Sequence, residues 1–114
     1  MKIVINTCYG GFGLSDEGVE RYAKLKGHMT WREDGVFSSS FYIDPPGTKN
    51  RRGIWSWEIK RDDPDLVKVV EELGEKADGP HAALKVIDIP DGTNWELNDY
   101  DGIESIHEVH NSWD

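Results

Sequence analysis

The stretch that decides the fold reads Lys2-Ile3-Val4-Ile5-Asn6-Thr7-Cys8-Tyr9-Gly10-Gly11-Phe12-Gly13-Leu14-Ser15-Asp16-Glu17. Its apolar start is typical of a β-strand, and the Ser-Asp-Glu at its end is typical of a helix N-terminus. The glycines between them can take positive φ and let another group approach the backbone closely. A helix start also presents unpaired N–H donors and the positive end of the helix dipole. The stretch therefore predicts a strand, a glycine turn and a helix, with a turn that can hold an anion.

Two helices are predicted from the residues at their ends. The first runs from Asp16 to about Lys26, with Ser15 as N-cap and Gly27 beyond it. The second starts at Asp63-Pro64 and ends before Gly74, and its apolar stripe predicts packing on a sheet face. The acids at its start are interpreted as caps and dipole partners, with a metal cluster as the lesser alternative; they are Asp62, Asp63 and Asp65.

Strands are predicted around these helices. Residues 36–43 and 53–59 are expected to form a hairpin, with Trp55, Trp57 and Ile59 on the buried face of the second strand. Residues 83–89 predict a central strand, and the turn at 99–102 predicts a final hairpin between strands near 94–98 and 103–110. The order is β-α-β-β-α-β-β-β. It predicts one α+β domain over residues 1–114, with a mixed, mainly antiparallel sheet and two helices on one face.

Composition and charge limit the class of protein. At 114 residues with a hydrophobic fraction of 37%, the chain is long enough for one core and for no second domain. The single cysteine, Cys8, cannot form an internal disulfide, and no segment resembles a signal peptide or a membrane span. We therefore expect a cytoplasmic protein without membrane contact. The net charge of −9 argues against nonspecific nucleic-acid binding.

Charge is sorted along the chain. Residues 1–61 carry ten Lys/Arg and seven Asp/Glu, whereas residues 62–114 carry three Lys and fifteen Asp/Glu. Within 47–61 a single acid, Glu58, stands among the bases Lys49, Arg51, Arg52, Lys60 and Arg61. This segment is either a solvated hairpin loop that balances the acidic half or a patch for an anionic partner.

A ligand-binding hypothesis joins the glycine turn to this basic segment. Aromatic faces beside free amides would hold a base or sugar, while a guanidinium would bind two phosphate oxygens. The candidate ligand-binding residues are Tyr9, Gly10, Gly11, Phe12, Lys49, Arg51 and Arg52. The turn lacks the Gly-Lys-Ser/Thr of a P-loop and the Gly-x-Gly-x-x-Gly spacing, so a plain packing turn is the alternative.

The remaining reactive residues support no catalytic, metal or cofactor site. His107 and His110 would share a face with Glu104 on a helix, but they diverge in the strand that we favour. Cys8 is either a nucleophile near a helix start or a small buried residue at a strand end. An exposed Trp55–Trp57 pair would suggest a stacking platform or a subunit interface, and Trp113 is expected to dock on a neighbouring subunit.

The chain resembles short uncharacterised proteins of tailed phages and prophages. The resemblance is carried by residues 2–15, by Arg61-x-Asp63-Pro64-x-Leu66-Val67 with Val70-Glu71-Glu72-Leu73-Gly74, by Leu84-Lys85-Val86-Ile87-x-Ile89-Pro90 and by Tyr100-Asp101-Gly102-Ile103-Glu104. It implies a phage origin and an accessory role outside the virion, in the host cytoplasm. Small phage proteins often counter host defence, some by sequestering nucleotide signals in oligomeric pockets.

Three functional hypotheses follow. The first is a homo-oligomeric protein that binds and sequesters a small anionic, nucleotide-like ligand without catalysis. The second is an acidic interaction module that inhibits a host protein by mimicking the charge of nucleic acid. The third is a small hydrolase, for which the acids and histidines form no recognised spacing.

Overall fold

Two helices and seven strands are present in a computed structural model that describes residues 1–36 and 38–109. The strands are β1 (Lys2–Asn6), β2 (Trp31–Asp34), β3 (Ser39–Tyr42), β4 (Gly53–Ile54), β5 (Leu84–Asp88), β6 (Trp95–Tyr100) and β7 (Ile103–Glu108). The helices are α1 (Asp16–Leu25) and α2 (Pro64–Leu73), and short 3-10 turns span Ser56–Glu58 and Gly74–Ala77. The predicted α+β class and the predicted antiparallel pairing are confirmed.

The strands pair in three small antiparallel sheets. β1 pairs with β5, with Val4 opposite Val86; β3 lies between β2 and β4; and β6 pairs with β7. Helix α2 packs on β1 and β5, while α1 packs on α2 and against β3. The core is built from one face of β1, the facing sides of both helices, and Phe41 of β3. No helix in these ranges is long and apolar enough to cross a membrane.

Both helices begin and end where their sequences predict. The Ser15 hydroxyl accepts a hydrogen bond from the Gly18 amide at 3.0 Å, and the Asp63 carboxylate accepts one from the Asp65 amide at 2.9 Å. Pro64 occupies the first turn of α2, and Gly74 ends that helix at a φ of 56°. The first helix is one residue shorter than expected. Local capping chemistry is therefore sufficient to place both helices.

The predicted strand over residues 53–59 is wrong beyond Ile54. Residues 56–58 form a 3-10 turn, and the Ser56 hydroxyl accepts a hydrogen bond from the Leu14 amide at 3.2 Å. This turn removes Trp57 from any sheet face and leaves its side chain 74% exposed. A tertiary contact to the glycine turn has thus overridden the alternating pattern.

Strand β2 was not predicted, because its residues show no apolar alternation. It is an edge strand of polar and charged side chains that pairs with β3, with Arg32 opposite Phe41. The strand expected over 36–43 is confirmed for Ser39–Tyr42. Phe37, His110 and Trp113 lie outside the described residues.

The final hairpin is confirmed. Asp101 and Gly102 have φ values of 52° and 90°, which fit the two central positions of a type I′ turn. Because Gly102 has no Cβ, the glycine turn can approach the hairpin turn closely. A Cβ on Gly102 would lie 2.8 Å from the Gly10 nitrogen. The hairpin turn and the glycine turn are therefore in direct backbone contact.

Stability should depend on the side chains of α2 that face the sheet. Leu66 is fully buried, so Leu66→Ala should lower the free energy of unfolding by about 2 to 5 kcal/mol, because a cavity remains. Urea unfolding followed by tryptophan fluorescence measures this. Val36→Ala is the matched control, because that side chain is 93% exposed and should change stability by less than about 0.5 kcal/mol. An equal decrease in the free energy of unfolding in the two variants would contradict the assignment of Leu66 to the core.

Candidate functional site

The glycine turn is held by the side chain of Asn6. Its amide nitrogen donates to the carbonyl oxygens of Cys8 at 2.7 Å and Gly102 at 2.6 Å. Its amide oxygen accepts from the backbone N–H of Ala83 at 2.9 Å and of Cys8 at 3.3 Å. Because Asn6 is fully buried, these bonds fix the turn to both the hairpin turn and the start of β5.

The outer edge of β1 is closed by two groups from distant parts of the chain. The Val4 amide donates to the Arg61 carbonyl at 2.8 Å, and the Asn6 amide donates to the Glu104 carboxylate at 2.8 Å. The same carboxylate pairs with the Arg61 guanidinium. Glu104 therefore occupies the place of a third strand and joins the hairpin to β1.

Phe12 is the residue of the glycine turn that meets a cation. The Arg61 guanidinium carbon lies 3.7 Å from the centroid of the Phe12 ring. Glu104 already neutralises that guanidinium, and the Gly10 amide faces the Asp101 carbonyl at 3.4 Å. Phe12 is half-buried, whereas Tyr9 is exposed. The contacts of this turn are thus mainly structural.

The arginines of the basic loop are paired within their own neighbourhood. Arg52 donates two side-chain hydrogen bonds to Asp44, both at 2.9 Å, and its hydrogen bonds lower the pKa of Asp44 to about 2. Arg51 donates to the Glu33 carboxylate at 2.6 Å and stacks on Tyr42, with its guanidinium carbon 3.8 Å from the ring centroid. These pairs fold the loop back on its own sheet.

The candidate residues taken from the sequence therefore fall into two groups with different neighbours. Tyr9, Gly10, Gly11 and Phe12 lie beside the hairpin turn and Arg61. Arg51 and Arg52 lie beside Asp44 and Glu33, and Lys49 is exposed at the tip of the basic loop. No hydrogen bond or ion pair within residues 1–36 and 38–109 joins the two groups.

A half-open cavity of about 430 Å³ lies between α1 and the segment that follows β3; we call it the Trp55 cavity. Its apolar lining comes from Ala23, Ile43, Ile54 and Ile59, with the rings of Tyr22 and Trp55 beside it. Charged and polar groups at its rim are Lys26, His28, Glu58, Lys60 and Asp63. An apolar lining with few polar groups is typical of small-molecule sites.

The indole of Trp55 is fixed by its neighbours. The Tyr42 ring meets it edge-on at a centroid distance of 6.0 Å, and the Trp57 ring stacks on it at 5.3 Å with an interplanar angle of 13°. The ring also lies across Gly53, where a Cβ would come within 2.7 Å of Trp55 Cζ2. Of the two tryptophans that the sequence left open as a stacking platform, Trp57 is exposed on the 3-10 turn and Trp55 is half-buried beneath it.

One side of the rim is a hydrogen-bonded charge cluster that joins α1 to the start of α2. Lys26 pairs with Asp63 at 3.1 Å and with Asp65 at 2.8 Å, and the Tyr22 hydroxyl donates to Asp63 at 2.7 Å. Burial, with Asp63 beside it, raises the pKa of Tyr22 to about 12. Burial alone would raise the pKa of Asp63, but the hydrogen bonds from Tyr22, Asp65 and Lys26 lower it overall.

The other side of the rim carries one lysine that the fold does not neutralise and the imidazole of a histidine. Lys60 and His28 are exposed, and neither has an ion-pair partner among the described residues. A larger concave surface of about 750 Å³ lies on the other side of Trp55, where Asp16 and Asp34 contribute carboxylates to its lining. Both of these carboxylates pair with Arg32, at 3.2 and 2.8 Å, so each has a cationic partner. The attraction for an anion at the Trp55 cavity comes from Lys60, which has no ion-pair partner among the described residues.

The described residues provide few groups that could bind a metal or act through a thiol. Among them, no three His, Cys, Asp or Glu side chains are grouped in a way that could hold a metal ion. The His107 ring nitrogen Nε2 lies 3.3 Å from the Ser105 hydroxyl, and Glu104 is engaged by Arg61. Cys8 is a half-buried free thiol.

Comparisons with protein-family models, with curated proteins and with solved structures found no match to this chain. The resemblance to tailed-phage proteins therefore stays a prediction from the residues quoted above.

Removing the carboxylate of Glu104 should loosen the glycine turn. Glu104→Ala leaves Arg61 and the Asn6 amide without their partner, so the free energy of unfolding should fall by about 3 to 5 kcal/mol. Cys8, the single thiol, should react faster with a thiol reagent under native conditions, which mass spectrometry measures. Glu108→Ala on the same strand is the control, because Glu108 is exposed. An unchanged labelling rate in Glu104→Ala would contradict this role.

The charge cluster at the rim should make stability depend on acid pH. Because hydrogen bonds lower the folded pKa of Asp63, its contribution is present above the unfolded value of about 4 and is lost as pH falls through the folded value. Asp63→Asn keeps a capping side chain but removes the charge. At pH 7 the free energy of unfolding of this variant should therefore be about 1 kcal/mol lower than that of the natural protein. The difference in free energy of unfolding between this variant and the natural protein should shrink as the pH falls, as measured by urea unfolding at several pH values. Asp62→Asn is the control, because Asp62 is exposed. If the difference for Asp63→Asn did not change with pH, the stabilising role of the Asp63 charge would be refuted.

Proposed function

We propose that this protein binds a small anionic, nucleotide-like ligand without turning it over, and that the ligand occupies the Trp55 cavity. The observation that carries this proposal is the combination of an apolar lining, a fixed indole and the unneutralised charge of Lys60 around one half-open space. The predicted class of ligand is kept, while its place in the fold moves from the glycine turn to this cavity.

The size and lining of the cavity suit a small planar molecule. Its volume of about 430 Å³ falls in the range of small-ligand sites, roughly 300 to 1,000 Å³. Trp55 is already held between Tyr42 and Trp57, so a ligand ring that contacts it does not have to order the indole. Stacking of a base on an aromatic side chain contributes about 1 to 3 kcal/mol. These features favour a heteroaromatic ring as the buried part of the ligand.

The charges at the rim favour a ligand with few negative charges. Lys26 is balanced by Asp63 and Asp65, which leaves Lys60 and His28 to face the negative group. Glu58 at the same rim would repel a highly charged polyphosphate. A monophosphate or a cyclic phosphate, attached to a base, therefore fits the rim better than a triphosphate.

The accessory role in a phage remains a proposal from the resemblance. If the chain is phage-encoded, capture of a nucleotide signal in the host cytoplasm would serve to counter host defence, and homo-oligomers would raise the number of sites. A native mass spectrum of the purified protein reports subunit number and any retained small molecule together.

The proposal is tested with a panel of nucleoside monophosphates, diphosphates and cyclic nucleotides in a thermal unfolding assay. At about 100 times Kd a ligand stabilises the folded state by about 2.7 kcal/mol, so melting should shift upward by several degrees. Tryptophan fluorescence should change on binding, because Trp55 lines the cavity. Chromatography after incubation should recover the bound nucleotide intact.

Two lysine variants locate the site. Lys60→Ala should weaken binding about tenfold or more, since a hydrogen bond to a charged group contributes about 1.5 to 3 kcal/mol. Lys49→Ala is the matched control, because Lys49 is also an exposed lysine but lies in the basic loop. Loss of binding in Lys49→Ala alone would return the site to the basic loop. A panel without any shift, or hydrolysis of the bound nucleotide, would refute the proposed function.

A further inference from the structure

Two turns from opposite ends of the chain meet at one end of the fold. The Gly10 amide faces the Asp101 carbonyl at 3.4 Å, and Gly102 packs directly against the backbone of Gly11. Each turn carries a tyrosine next to this contact, Tyr9 in one and Tyr100 in the other. We call the surface formed by Tyr9, Gly10, Tyr100 and Asp101 the double-turn surface.

Both tyrosines of the double-turn surface are unusually exposed. Tyr9 is 63% exposed and Tyr100 is 75% exposed, and neither hydroxyl has a hydrogen-bond partner within the described ranges. Asn6 and Glu104 hold the backbone beneath them, so the rings stand on a rigid base. Tyrosine is enriched among the residues that dominate protein interfaces, because it combines a large apolar face with a polar tip.

The hairpin that carries Tyr100 is acidic, while His81 lies against Gly10 next to Tyr9. Residues 86–109 contain seven carboxylates and no lysine or arginine. Asp88 and Asp91 pair with the chain N-terminus, Asp99 caps the Gly102 amide, and Glu104 is buried. The exposed carboxylates without an ion-pair partner in the described part of the hairpin are Glu96, Asp99, Asp101 and Glu108. Asp99 and Asp101 lie at the hairpin turn, whereas Glu96 and Glu108 lie at the open end of the hairpin, where Glu108 is opposite Trp95. The double-turn surface therefore carries the carboxylate of Asp101 with that of Asp99 beside it, and neither has an ion-pair partner among the described residues.

We infer that the double-turn surface binds an arginine-bearing segment of a partner protein. A guanidinium can lie on a tyrosine face while its N–H groups donate to a neighbouring carboxylate, so both features of the surface are used at once. Nucleic acid is disfavoured because its phosphates would face Asp101. A second copy meeting this surface through the same patch is disfavoured because like charges would oppose each other. This inference is independent of the ligand proposed for the Trp55 cavity.

The test uses a random dodecapeptide library selected on the purified protein, followed by synthesis of the most enriched peptide and calorimetric measurement of its Kd. Enriched peptides should contain arginine, and replacing that arginine by alanine should weaken binding at least about tenfold. Tyr9→Ala and Tyr100→Ala should each raise Kd by a similar factor. Asp101→Asn should raise Kd several-fold and reduce its dependence on salt, and asparagine tolerates the positive φ at this position.

Two control variants separate this surface from the rest of the molecule. Met29→Ala removes a side chain as exposed as Tyr100, and Glu17→Gln removes an exposed carboxylate of α1; both should leave Kd unchanged. Thermal unfolding of each variant reports whether it is folded, and Tyr100→Phe, which keeps the ring, should retain most of the affinity. Enriched peptides without arginine, or full affinity in both tyrosine-to-alanine variants, would overturn the inference. Nucleotide binding can persist or fail without altering this result.

Discussion

The carboxylate of Glu104 at the edge of β1 is the interaction on which the rest of the structure depends. It accepts the Asn6 amide and pairs with Arg61, whose own carbonyl accepts the Val4 amide. Strand β1 is buried, and an open edge there would leave amide donors without partners at a cost of about 1 to 3 kcal/mol each. A side chain from β7 and a carbonyl from the loop before α2 take the place of a strand. Three distant parts of the chain are therefore joined at one point.

This arrangement also determines which groups of the glycine turn already have partners within the fold. A strand, a glycine turn and a helix start can present free amides to an anion. Here Asn6 holds the turn against the hairpin, and the Gly10 amide faces the Asp101 carbonyl. Gly10 allows close packing, the alternative interpretation of the sequence, since a Cβ there would lie 2.6 Å from the His81 Cβ, whereas Gly11 has a positive φ and open space at its Cβ position. The same packing brings the two exposed tyrosines to one end of the molecule.

The parts of the fold that could be predicted are those decided by neighbours in sequence. Ser15 and Asp63 cap the helices, and Asp101-Gly102 forms the turn of the last hairpin, because each depends on contacts within a few residues. The 3-10 turn at residues 56–58 could not be predicted, since its hydroxyl bonds a residue 42 positions away. The same holds for the pairing of Glu104 with Arg61. In the Trp55 cavity, only the tryptophan and the basic character of the segment were visible in the sequence.

The charge sorting along the chain has different outcomes in its two halves. In the basic half, Arg51 and Arg52 are neutralised by Glu33 and Asp44 within their own sheet, so few cations remain for a ligand. In the acidic half, the hairpin has no lysine or arginine with which to pair, because residues 86–109 contain none. The excess of negative charge therefore lies in the C-terminal half of the chain, where residues 62–114 carry fifteen Asp/Glu and three Lys. A field of this kind raises association rates with basic partners and repels phosphates, which agrees with the arginine-bearing partner that we infer for the double-turn surface and with the separate anion site that we propose near Lys60.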